Sequence, residues 1–164
     1  MIKLDIGCGN QCLPGWIGVD KLPPAEIICD LENEDLPFED NSVAAVRAIY
    51  FFEHVDNPLR IMGEIYRVCM PGALVEIQVP YWGCESAFRD PTHKKYWTHR
   101  TYEYLDCRQK QVPHYTYTGK FDLVQLIETL TPEGQKLSGK ELEFAKKHYL
   151  NIIYNIVFIL RAVK

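Results

Sequence analysis

The chain opens on a short strand that runs straight into a glycine turn, and this arrangement narrows the fold more than anything after it. Ile2, Leu4 and Ile6 alternate with polar residues, and Gly7-Cys8-Gly9 stops the run. Two glycines separated by one residue let a backbone turn tightly and approach a ligand closely. Asp5 lies inside the strand, just ahead of the first glycine. The next two apolar runs each close on an aspartate: Trp16 to Val19 on Asp20, and Ile27 to Cys29 on Asp30. Acids at successive strand ends suggest a parallel sheet whose ligand sits at the carboxyl edge.

Further strands are predicted over Val43 to Tyr50 and over Ala73 to Val79, the latter stopped by Pro80. Between them Leu59, Met62, Ile65, Tyr66 and Cys69 form an amphipathic helical stripe, opened by Asn57-Pro58 and closed by Pro71-Gly72. A shorter helix is expected over 98–106 with Thr98 as its cap, then a strand over 121–130, a helix over 139–151 and a last strand over 156–163. No repeat or linker interrupts the chain, so residues 1–164 read as a single domain. The connections after Gly7 and after Asp20, about nine and five residues long, are too short for full helices. Ile17, Val19, Ile27 and Ile28 still need burial. The expectation is therefore a homodimer, or late segments such as the 139–151 helix folding back over the sheet.

Charge limits the partners. The formal net charge is −4, with the acids concentrated in residues 1–60 and a slight basic excess after them, which argues against nucleic-acid binding through bulk charge. No window approaches the ~18 apolar residues of a membrane span. The first residues lack the apolar region of a secretory signal. The six cysteines contain no CxxC pair and fall partly in apolar runs, so reduced thiols in a cytoplasmic protein are expected. No metal-ligand spacing is visible, and no metal is expected.

The acids suggest which ligand. At the end of the second strand, Asp20 can accept hydrogen bonds from both hydroxyls of an adenosine ribose, the stronger charge-assisted type. Asp30 can accept from an adenine amino group. A dinucleotide fingerprint would want GxGxxG, but Cys12 stands at the third glycine and no helix-forming run follows to face a pyrophosphate. S-adenosylmethionine carries no phosphate and needs acids near its sulfonium and amine, one of which Asp5 supplies.

These residues resemble the small class I, S-adenosylmethionine-dependent methyltransferases of the type 11 kind. The resemblance rests on Leu4-Asp5-Ile6-Gly7-Cys8-Gly9, Pro14-Gly15-Trp16-Ile17-Gly18-Val19-Asp20 and Cys29-Asp30-Leu31. It continues through Leu36-Pro37-Phe38, Phe52-Glu53-His54-Val55, Glu64-Ile65-Tyr66-Arg67-Val68, Val79-Pro80 and Asp90-Pro91-Thr92-His93. It implies an α/β, Rossmann-like class I methyltransferase sheet, mostly parallel with an antiparallel last strand and several helices trimmed. It further implies that Asp5, Gly7, Cys8, Gly9 and Asn10 line the methionine part of the cofactor, Asp20 the ribose, and Asp30 with Leu31 the adenine. Ala48, Ile49 and Tyr50 would border the sulfonium. The pattern departs from the family in the short connection between the first two strands, and at Met70 and Ala73.

Beyond the cofactor the signal thins. Glu53-His54 follows the fourth strand, where either residue can take a proton from an attacking oxygen or nitrogen or anchor the next helix. His93 lies in a loop with Arg89, Lys94 and Lys95, which suits an anionic acceptor or a solvated loop closed by Asp90. Tyr81, Trp82, Tyr96, Trp97, Tyr102 and Tyr104 crowd one stretch as core or as acceptor pocket. The expected function is methyl transfer to a small-molecule or glycan-type acceptor, with Glu53, His54 and His93 as catalytic candidates. The alternative is a non-catalytic S-adenosylmethionine- or nucleotide-binding or assembly protein on the same fold.

Overall fold

A computed structural model describes residues 1–109 and 117–164. Seven strands form one sheet: β1 (Ile2–Ile6), β2 (Ile17–Asp20), β3 (Ile27–Ile28), β4 (Val43–Ile49), β5 (Cys69–Pro80), β6 (Phe121–Leu130) and β7 (Ile153–Ala162). Their order is β3-β2-β1-β4-β5-β7-β6. The pairings among β1 to β5 are parallel, and β7 runs antiparallel to both its neighbours. This is the mostly parallel Rossmann-like sheet with an antiparallel last strand that the sequence resemblance implies.

Helix α1 (Pro58–Val68) forms where the periodicity predicts it. The Asn57 side chain accepts from the Arg60 amide and Pro58 occupies the first turn. Ile61, Met62, Ile65 and Val68 turn inward and are buried, joining Leu4, Ile6, Val46, Val75, Ile77 and Phe158 in one core. The helix also stands in for a missing one. Residues 31–40 carry no helix, yet four of their carbonyls accept from two arginines of α1. Arg60 donates to Leu31 O at 2.8 Å and Glu34 O at 3.2 Å, while Arg67 donates to Leu36 O and Phe38 O at 2.9 Å each. Glu64 returns the favour by accepting from the Leu36 amide at 3.1 Å.

Three expectations change. The 98–106 segment is a 3-10 helix over Thr101–Leu105, because its contacts repeat every three residues: Thr98 with Thr101, and Arg100 with Glu103. The late helix, α3 (Gly139–His148), stops short, since Asn151 takes a left-handed φ of 59° and binds Gly83 O and the Glu85 amide. A short helix, α2 (Ser86–Arg89), was not expected. Helix α3 does not cover β2 and β3 either. Its Lys146 pairs with Glu128 of β6, at the opposite edge of the sheet, and Ile28 stays 56% exposed. One face of the central sheet remains thinly covered: Leu74 and Ile127 are exposed, and Glu76, Gln78 and Ile159 half-buried. All six cysteines are free thiols. Among the described residues no helix is long and apolar enough to cross a membrane.

Candidate functional site

A cleft of about 410 Å³ opens at the carboxyl ends of β1 to β4, within the usual range for small-molecule sites. Gly7, Val19, Asp20, Lys21, Cys29, Asp30, Leu31 and Glu32 form one wall; Tyr50, Phe51, His54, Val55, Thr92 and Lys94 form the other. It lies where the sheet order reverses between β1 and β4, the place such folds keep for ligands.

The first wall is built by local hydrogen bonds. Gly7 has φ +65°, and a Cβ there would lie 2.5 Å from the Phe51 ring, so only glycine lets the two walls meet. The Gly7 amide donates to Val19 O at 2.8 Å, and the Gly9 amide to the Asp20 carboxylate at 3.0 Å. The other Asp20 oxygen accepts from the Leu22 amide at 3.1 Å. Gly18 lets the turn lie down on β2, since a Cβ would meet Cys8 Sγ at 2.8 Å and Cys12 Sγ at 3.1 Å. Burial first, then Cys12 and the nearby carboxylates, push the Cys8 thiol up to about 11.

Asp5 is not among the residues lining the cleft. It is 3% exposed, accepts from the Leu13 amide at 2.9 Å and faces Arg47 at 3.4 Å. It holds the turn from beneath. Asp30 accepts from the Glu32 amide at 3.1 Å and the Asn33 side chain at 2.8 Å, which hold its carboxyl below the usual range. Leu31 is buried beside it. Cys8, Gly9 and Asn10 sit in the turn outside the lining. Ala48 and Ile49 lie within β4, and only Tyr50 of that trio reaches the cleft, in a left-handed conformation with φ 54°. Its hydroxyl accepts from Asn155 at 2.7 Å.

The second wall gathers Glu53, His54 and His93, whose ligand-type atoms lie within 4.8 Å of one another. Glu53 is 1% exposed, and neither carboxylate oxygen has a hydrogen-bond partner. Burial pushes its carboxyl up to about 7, with its own backbone amide and then His93 pulling the other way. Its backbone carbonyl accepts from the Lys94 and Lys95 amides at 2.7 and 3.1 Å, pinning the His93 loop to this wall. Thr92 donates its hydroxyl proton to Asp90 at 2.7 Å and so accepts from His54 Nδ1 at 2.9 Å. His93 Nδ1 donates to Ala87 O at 2.9 Å. The two rings meet edge to face at 4.8 Å, and burial, then His93, lowers the His54 pKa. Lys94 is not free for an anion: it binds Asp56 at 2.6 Å and lies 3.9 Å from Glu32.

Sequence reasoning missed Phe51, Thr92 and Arg47 as parts of this site. The signals were small: an aromatic beside Glu53, a threonine two residues past an aspartate, and one arginine within an apolar strand.

The cleft fits S-adenosylmethionine better than a phosphate-bearing nucleotide. Its wall offers Asp20, Asp30 and Glu32 as acceptors, which outnumber Lys21 and the already paired Lys94, and no helix follows the glycine turn.

A family model described as "Methyltransferase domain" matches residues 19–77, from the end of β2 through most of β5. Among solved structures, a chain of the Haloferax volcanii complex with the Trm112 methyltransferase activator is 15% identical. That likeness has a TM-score of 0.64 and covers 99% of this chain and 83% of that one. An S-adenosylmethionine-dependent methyltransferase from Mesorhizobium loti is 13% identical, with a TM-score of 0.61 and coverage of 98% and 90%. One from Archaeoglobus fulgidus is 16% identical, with a TM-score of 0.56 and coverage of 97% and 85%. No curated protein matches the sequence. At these identities the structural likeness is one of fold. Over residues 19–77 the chain is similar to the methyltransferase-domain family, and its fold is that of these methyltransferase structures.

Proposed function

We propose that the chain transfers a methyl group from S-adenosylmethionine to a small-molecule or glycan-type acceptor. Bound in the cleft, the cofactor supplies a methyl carbon already activated by its sulfonium. In this reading Asp20 accepts from the ribose hydroxyls, and Asp30 with Leu31 holds the adenine. Gly7, Cys8, Gly9 and Asn10 place backbone against the methionine part, with Asp5 fixing that turn through Leu13 and Arg47. Ala48, Ile49 and Tyr50 set the floor near the sulfonium. The observation that carries the reading is an acid-walled cleft at the β1–β4 reversal with an open second wall.

That second wall is the acceptor side. His54 keeps an unprotonated Nε2, because its Nδ1 proton goes to Thr92, and can take the acceptor's proton as the oxygen or nitrogen attacks. Glu53 and His93 stand next to it. An adjoining hollow of about 400 Å³ shares Lys94 and is lined by Leu59, Tyr96, Trp97 and Tyr104. Exposed Phe88 stacks on Tyr96 at 4.5 Å, which offers the flat apolar surface that sugar rings use. Orientation and exclusion of water do most of the catalytic work in such a displacement. The thinly covered sheet face is where a second copy of the chain would pack, and sedentary monomers in sedimentation would remove that part of the reading.

Calorimetry with S-adenosylmethionine tests the cofactor site. Transfer of labelled methyl across a panel of glycans and small hydroxyl and amine acceptors tests the reaction. Absence of cofactor binding at millimolar concentration would overturn the proposal; binding without transfer to any acceptor would leave the binding-protein alternative in its place.

A further inference from the structure

The structure assigns a divalent transition-metal site to Glu53, His54 and His93. Three ligand-type side chains from two segments, nearly forty residues apart, converge within 4.8 Å of one another. The Glu53 carboxylate is 1% exposed, yet neither oxygen has a partner. Buried polar groups are almost always paired, and an ionised one left alone is costly, so this carboxylate lacks a counterpart that a cation would supply.

The imidazoles are already arranged as ligands. His93 donates its Nδ1 proton to Ala87 O at 2.9 Å, and His54 donates its own to Thr92, whose hydroxyl proton is committed to Asp90. Each ring therefore keeps its lone pair on Nε2. Outer partners that fix the tautomer in this way are the usual companions of metal-bound histidines. Two imidazoles and one carboxylate favour Zn²⁺, Co²⁺ or Mn²⁺ over Mg²⁺ and Ca²⁺, which prefer oxygen-only shells. Three protein ligands leave a position open, and His54 and Thr92 put it on the cleft side. An acceptor oxygen bound there would lose its proton more readily. With the Nε2 of His54 on the ion, that proton leaves to water rather than to His54. That last role rests on the methyl-transfer reading; the metal site itself does not.

The test uses the 164-residue chain freed of metal by chelation and titrated with Co²⁺, with neither cofactor nor acceptor present. Visible absorption and calorimetry should give one ion per chain, with nitrogen and oxygen ligand bands and no thiolate charge-transfer band. Affinity should fall roughly tenfold to a hundredfold in Glu53→Gln and in His93→Ala. Co²⁺ should raise the melting temperature of the parent chain and not of Glu53→Gln. Half-buried His54→Ala serves as the third variant and should show the same loss even where a buried substitution fails to fold. No binding, a thiolate band, or unchanged affinity in the variants that fold would overturn the assignment. Metal binding with no methyl transfer would leave the site standing and remove only its proposed role in catalysis.

Discussion

The two walls of the cleft use the same residue type in opposite ways. On the first, Asp5, Asp20 and Asp30 all accept hydrogen bonds from neighbouring backbone amides, so each carboxylate shapes the loop it sits in. On the second, the Glu53 carboxylate is buried with no partner at all. A satisfied acid makes a wall rigid before any ligand arrives. An orphaned one raises the free energy of the wall until something binds it. The first wall is thus preorganised, and the second is poised.

The largest effect expected from this contrast is on stability at Asp5. Asp5→Ala leaves Arg47 without its buried counterpart and frees the Leu13 amide, and should cost about 3 kcal/mol or more in urea unfolding. A loss of cofactor affinity with stability intact would instead place Asp5 among the ligand contacts.

Glu53 should show the reverse sign with pH. Its folded pKa of about 7 lies above its ordinary 4.5, raised by burial and less by Asp90, and opposed by its own backbone amide and His93. The folded state therefore holds the proton more tightly, so stability is full below about 4.5 and falls as pH rises towards 7. In chelator-treated protein the fall should reach about 3 kcal/mol, following 1.36 kcal/mol per pKa unit. Glu53→Gln should flatten the curve; equal slopes in both proteins would mean that the carboxylate finds a partner in solution.

A smaller effect is expected at Asp20, where removing a charged acceptor should weaken S-adenosylmethionine binding by about 1–3 kcal/mol. Calorimetry on Asp20→Ala against the parent chain reads it directly, and equal affinities would take Asp20 out of the site. The mildest test concerns Cys8. With its thiol at about 11, iodoacetamide should label it roughly a hundredfold more slowly at pH 8 than a free thiol. Fast labelling, followed by mass spectrometry of its peptide, would show that the first wall opens.

Much of the first wall was legible because its chemistry is local. Gly7, Asp20 and Asp30 announce themselves by their places at strand ends, and β6 follows the alternating pattern over Phe121–Leu130. Helix α1 ends at Val68, and Cys69 and Pro71-Gly72, expected in the stripe and at its close, belong to β5. Its start, though, was equally plain from its spacing and its Asn57-Pro58 cap. The second wall was not, because Glu53 and His93 meet only when the loop amides of Lys94 and Lys95 fold onto the Glu53 carbonyl. No spacing rule connects residues brought together in that way. The same holds for Gly7 and Phe51: the glycine was visible, but the ring that forbids its Cβ was not. The 98–106 segment misled because helical composition does not distinguish a three-residue from a four-residue hydrogen-bond repeat when threonines and an Arg–Glu pair favour the former.

The arginine clasp on residues 31–40 also sets an order of assembly. Arg60 reaches back 29 residues to Leu31, and Arg67 reaches back 31 to Leu36. A chain emerging from the ribosome exposes the Asp30 end of the cleft well before the helix that fastens it. During that interval the segment has polar carbonyls and no regular structure of its own to satisfy them. β1 to β3 are therefore made early and finished late, and the cleft is complete only once α1 has been synthesised and has docked.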